Sequence, residues 1–274
     1  MGLDANGNTL SDAQGRSFTW DFENRLTQVV VPGTNGGTTT FKYDPFGRRI
    51  QKSGPLGTTN YLYDGRDFGA NILEELDNNG NVLARYVQSE RIDHPLAEFR
   101  SGANSYYQQD ALSSVTSLSS GAGALVNTYT YDSMGNVLGN TTGVSNPFQY
   151  TGREGDRETG LDYYRARYYD PTIGRFFSED PQGLKDGVNR YTYARNNSVR
   201  FRDPLGLSAC SDACEKRQFL FKWCDYRYLG FCQLIPPWGD KKHCIEDWFI
   251  CRDVAVNMTP ECKSPCPDDK CKNK

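Results

Sequence analysis

Aspartate followed by proline occurs four times in this chain of 274 residues, at Asp44, Asp170, Asp180 and Asp203. Two carboxyls held close together share a proton, so one can act as base toward a water while the other acts as acid toward a leaving amine. The same aspartates can instead do no more than cap proline turns, their oxygens accepting backbone amides. Cysteine is the second reactive type: all nine lie between Cys210 and Cys271. Cys-x-x-x-Cys occurs at 210/214 and 262/266, Cys-x-x-Cys does not occur, and His243 is the one histidine of that stretch. This is poor zinc spacing, so a disulfide framework is expected, with its pairing open and one cysteine left over within a monomer. His243 and Asp247 lie one helical turn apart and read as surface residues rather than as a catalytic pair.

Composition narrows the rest. Mean hydropathy is −0.69 and hydrophobic residues make up 37%. No apolar run approaches the length of a membrane span, and the opening MGLDANGNTL has neither a basic region nor an apolar stretch. Neither a transmembrane segment nor a recognisable N-terminal export signal is therefore expected. A net charge of −3 and a pI near 5.5 argue against nucleic acid as a partner. No cofactor is implied.

The elements that must position any site are hairpins. Before Ser208 the chain repeats one phrase: an aromatic or leucine, Asp, two variable residues, Gly or Asn, then a polar or basic residue. Copies stand at Asp4, Asp21, Asp44, Asp77 and Asp132, with a shorter variant at Asp64. The carboxylate accepts the amide two residues on, and glycine tolerates the left-handed backbone that closes the turn. Thr38 to Tyr43 and Asn127 to Tyr131 alternate with period two on the approach to their turns, which predicts strand, turn, strand. Tyr43, Tyr63, Tyr129 and Tyr131 are expected to stack across neighbouring strands on one face.

These aromatic-Asp-x-x-Gly repeats resemble the YD or RHS repeats of large bacterial toxin and wall-associated proteins. Residues 148–207 contain TGLDYYRARYYDPTIGRFFSEDP, then NRYTYARNN and a closing DPLGL, and are similar over nearly their whole length to the RHS-repeat-associated core. The resemblance implies a mainly β fold: an antiparallel β-hairpin strip at 1–147 that spirals into a shell, and a core region at 148–207 that plugs it. It also implies a chain cut just after DPLGL, between Leu207 and Ser208, with Asp180 and Asp203 as the catalytic carboxylates and Arg167 beside them. The expected chemistry is single-turnover, aspartic-type autoproteolysis. A rival mechanism, attack of the Ser208 hydroxyl on the Leu207 carbonyl, needs no acid pair.

Residues 208–274 read as a small α-rich, Cys-rich domain, with helix-compatible runs at 211–230 and 241–256 separated by a stretch containing Pro236-Pro237. The resemblance makes this tail the cargo of the scaffold, in a protein that is secreted or placed at the cell surface. Further RHS-repeat chain, secretion-system components and an immunity protein are the partners it implies. The competing function is a non-catalytic adhesion protein with β repeats that bind a partner and a tail that is an inert stapled cap.

Overall fold

The hairpin turn is the unit from which the fold is built. At Asp44 the strands Gly37–Tyr43 and Arg49–Gly54 close on the pair Tyr43 and Arg49, leaving five residues for the turn. Asp44 Oδ1 accepts the amides of Phe46 at 2.9 Å and Arg48 at 3.0 Å, while the Gly47 amide donates to the Asp44 carbonyl at 3.0 Å. One carboxylate oxygen thus satisfies two amides that the turn would otherwise leave to solvent. The same bonds recur at Asp4, Asp21, Asp77 and Asp132, with Asn24 taking the left-handed conformation at φ 60° where the other four have glycine. Asp12 and Asp110 make it as well. Neither follows an aromatic residue or leucine, so the repeated phrase does not reveal them.

In the computed structural model, which describes residues 1–65, 70–89, 91–184, 187–207 and 209, these turns join fourteen strands into one antiparallel sheet. The strands run from Gly2–Leu3 to Val137–Thr142, each paired with its neighbour in sequence. Along Gly37–Tyr43 the side chains of Thr39 and Phe41 are buried while Thr38 and Lys42 are exposed, the period-two pattern expected of a half-buried strand. A second sheet of four short strands follows: Glu154–Asp156, Leu161–Tyr164, Arg167–Asp170 and Arg175–Phe176. The chain divides into two compact units, Met1–Ala209 and Cys210–Lys274. Ser208 and the helices and disulfides expected of the tail lie outside the described residues.

The large sheet wraps around the small one. Laid flat, eleven strand spacings between Thr9–Ser11 and Leu125–Tyr131 would span on the order of 50 Å. Yet the Thr9 amide donates to Phe177 O at 2.9 Å, and the Met134 carbonyl, in the turn after Leu125–Tyr131, accepts from Tyr169 Oη at 2.7 Å. Tyr169 and Phe176 are paired residues of the small sheet, so both regions of the long sheet meet the same few residues. Much of the interface is apolar and aromatic: Phe18, Leu26, Val29 and Phe41 of the long sheet pack on Leu161, Tyr163, Tyr168 and Phe177. Burial of this kind, non-directional and proportional to area, holds the two sheets together.

Buried ion pairs fix their register. Arg49 is fully buried, bonds Asp156, and meets Glu154 Oε2 at 2.8 Å from the small sheet, with its guanidinium 4.3 Å from the Tyr163 ring.

The tyrosines depart from the expected cross-strand stack. Tyr129 and Tyr131 do stack, at 6.2 Å, but along one strand. The hydroxyls of Tyr43, Tyr63 and Tyr131 instead reach across to the carbonyls of Leu26, Arg49 and Val115, at 2.6, 2.8 and 2.9 Å. Each tyrosine before a turn aspartate therefore ties its hairpin to the preceding one, through a polar tip that a stacked ladder would leave idle.

Candidate functional site

Arg167, Asp180 and Asp203 come together. Arg167 opens the strand Arg167–Asp170 and lies with its guanidinium 3.7 Å from the centre of the Phe176 ring. Its Nη2 meets Asp180 Oδ2 at 3.2 Å and Asp203 Oδ2 at 3.1 Å, and its Nη1 donates to the Arg190 carbonyl at 3.1 Å. Its Nε donates to the Gly206 carbonyl at 2.5 Å, so the planar fork binds four acceptors at once. All three side chains are buried, and Asp180 at 8% exposure is the more open carboxylate, against 2% for Asp203.

Both carboxylates sit in turns of one sequence, Asp180-Pro-Gln-Gly-Leu184 and Asp203-Pro-Leu-Gly-Leu207. Asp180 Oδ1 accepts the Gln182 amide at 2.8 Å, and its carbonyl accepts the Gly183 amide. Asp203 Oδ1 accepts the Leu207 amide at 2.9 Å, and its carbonyl accepts the Gly206 amide. Each turn keeps the carbonyl bond and one of the two Oδ1 bonds of the hairpin turns, here with the second carboxylate oxygen directed at an arginine outside the turn. The recurrence of Asp-Pro-x-Gly-Leu is a signal in the sequence that pairs the two aspartates without any family knowledge.

The residues ahead of the Leu207–Ser208 bond are gripped one after another. The Pro204 carbonyl accepts from Arg165 Nη1 at 2.5 Å, the Leu205 carbonyl from the Ala166 amide at 3.2 Å, and the Gly206 carbonyl from Arg167 Nε. Three consecutive residues thus hold three consecutive carbonyls. Gly206, at φ 66°, lies so close that a Cβ there would stand 2.3 Å from the Tyr164 carbonyl. Only glycine fits both the backbone conformation and the space.

The long sheet contributes to this grip. Arg165 Nη2 donates at 2.9 Å to Asp93, which also pairs with Arg153. Although burial pushes the Asp93 carboxyl up, the two guanidiniums hold it below its ordinary value. Sequence reading missed Arg165 and Asp93. Arg165 belongs to the same RAR run as Arg167, whereas Asp93, in a loop between hairpins, has no local signature.

Beside Asp180 lies a small, partly open polar recess bordered by Gly183, Asn189, Arg190 and Thr192. Among the described residues no cluster of three or more His, Cys, Asp or Glu has the arrangement of a metal centre.

Comparison with known proteins places the chain in a wider group. The family model described as Teneurin YD-shell matches residues 2–204. The tRNA nuclease WapA of Bacillus subtilis (strain 168) is 37% identical over 213 residues, covering 75% of this chain and 9% of that protein. The double-stranded DNA deaminase toxin A of Burkholderia cenocepacia (strain H111) is 29% identical over 229 residues, covering 71% of this chain and 16% of its own length. Among solved structures, the crystal structure of TcdB2-TccC3 superposes with a TM-score of 0.61 at 25% identity, over 75% of this chain and 11% of that one. The chain therefore spans about a tenth of the length of the first curated relatives it matches.

Proposed function

This chain belongs to the Teneurin YD-shell family of RHS/YD-repeat proteins, and we propose that it cuts itself after Leu207 to release residues 208–274 as a disulfide-rich effector. The observation that carries this reading is the convergence on Arg167: two carboxylates on Nη2, and on Nε the carbonyl one residue before the bond to be cut.

In the proposed reaction a water attacks the Leu207 carbonyl carbon. Asp180, which borders the recess, takes the water's proton. Asp203, anchored by the Leu207 amide, gives a proton to the Ser208 nitrogen as the C–N bond breaks. The products are the Leu207 carboxyl and a free Ser208 amine. Arg165, Ala166 and Arg167 hold the substrate strand still, and this matters because misplacement by an ångström costs such reactions about a hundredfold.

Residues 1–207 would then act as scaffold and plug. The relatives' names fit a carrier: one is a tRNA nuclease and another a DNA deaminase, while the likeness to this chain lies in a shared segment. Activities that differ so much belong outside what is shared. Export, with further repeat chain, secretion components or an immunity protein as partners, belongs to the same proposal. These relatives favour cargo release over the adhesion reading.

The test is substitution with intact-mass readout. Asp180→Asn and Asp203→Asn should leave the chain whole, since an amide keeps the shape but cannot exchange the proton, and Ser208→Ala should cleave as the wild type does. Cleavage at full rate in both asparagine variants, or its loss in Ser208→Ala, would overturn the acid-pair mechanism.

A further inference from the structure

We propose that Leu184 and Leu207 are positioning residues, which keep the second oxygen of each turn aspartate available to Arg167 by having nothing to donate to it. The inference rests on the self-cleavage reading for its consequence, but its geometry is independent of that reading.

In six hairpin turns the residue four places after the aspartate closes the carboxylate. The side chains of Asn8, Arg16, Arg25, Arg48, Asn81 and Asn136 donate to Oδ2 of Asp4, Asp12, Asp21, Asp44, Asp77 and Asp132, all at 2.6 to 2.8 Å. Oδ1 is already taken by backbone amides, so both oxygens are used inside the turn. At Asp77 the Asn81 side-chain and backbone bonds hold the carboxyl below its ordinary value. Such an aspartate has no oxygen left for a partner outside its turn.

In the three later Asp-Pro turns that residue is Gly174, Leu184 or Leu207, none of which carries a side-chain donor. In each, an arginine distant in sequence takes Oδ2 instead: Arg16 for Asp170, and Arg167 for both Asp180 and Asp203. Packing does not explain the leucine at 184, which is 63% exposed. The side chain four places after the aspartate therefore separates an aspartate closed within its own turn from one directed at the Arg167 site.

The test compares Leu184→Asn with Leu184→Ala and Leu184→Met in the full chain. All remove the leucine, but only asparagine restores the donor found in the hairpin turns. The asparagine variant should cleave at least about tenfold more slowly, while the alanine and methionine variants stay within about threefold of the wild type. Equal rates for asparagine and alanine would overturn the proposal.

A second measurement does not depend on cleavage. Crystal structures of the Asp180→Asn chain with and without Leu207→Asn should show the new amide on Asp203 Oδ2 and Arg167 Nη2 displaced from it. An amide pointing away, with Arg167 still on Asp203, would refute the inference. A wild-type chain that never cleaves would refute self-cleavage and leave this structural arm to decide the role of the leucines.

Discussion

Gly80 and Gly135 occupy equivalent places in equivalent turns, and replacing each by alanine separates what the turn requires from what packing against Tyr150 requires. Both are left-handed, at φ 84° and φ 96°. A Cβ at Gly80 meets nothing within 4 Å, whereas one at Gly135 would stand 2.4 Å from Cδ1 of Tyr150. Tyr150 cannot easily yield, because it is buried, its hydroxyl donates to the Ser133 carbonyl at 3.1 Å, and its ring touches Tyr131 and Tyr193. Gly80→Ala should therefore cost only the left-handed penalty, about 1–2 kcal/mol. Gly135→Ala should cost that and the overpacking, a further ~1–3 kcal/mol. Chemical denaturation of the full chain, followed by circular dichroism, measures both. Equal losses would refute the reasoning, since they would mean that the turn after Leu125–Tyr131 does not lie against Tyr150.

Three further outcomes are expected. Arg49→Met leaves Glu154 and Asp156 with their main counter-charge removed inside the protein, and should cost about 3–5 kcal/mol in the same assay; a loss under ~1 kcal/mol would mean the pairs do not hold the two sheets together. Glu98 is buried, its Oε1 meets no hydrogen-bond partner among the described residues, and burial raises its carboxyl to about 7 despite Arg100 nearby. The folded state therefore keeps a proton that the unfolded chain has lost, so stability should fall between about pH 4.5 and 7, by roughly 3 kcal/mol at most, and Glu98→Gln should flatten that slope. A wild-type slope unchanged by Glu98→Gln would count against this. For the tail, mass spectrometry with and without reductant should find at least three disulfides after oxidising expression; eight or nine free thiols with bound zinc would contradict the framework reading.

The hairpin strip was legible because its signals are local. Asp44 and Gly47 carry their turn within five residues, and the alternation of Thr38 to Tyr43 gives the buried face directly. Asp12 and Asp110 escaped because Ser11 and Gln109 stand where the other turns have an aromatic residue or leucine, although the bonds come from aspartate alone. The interface between the two sheets was harder to read. Its arginines look like surface charges in sequence, yet Arg49 of the long sheet and Arg153, Arg167 and Arg202 beyond it are among the most buried large side chains. Their partners lie far along the chain, as Asp93 does from Arg165, and no short window connects them. Arg167 was reached through family resemblance, and the repeated Asp-Pro-x-Gly-Leu gives a physical route to the two aspartates it holds.

The most direct measurement of the central claim is the intact mass of the purified full chain under denaturing conditions, with no protease added. Two species are expected, residues 1–207 ending in a Leu207 carboxyl and residues 208–274 beginning with a free Ser208 amine, which remain together until denatured. A single species of 30.9 kDa, or fragments that begin at any residue other than Ser208, would contradict it.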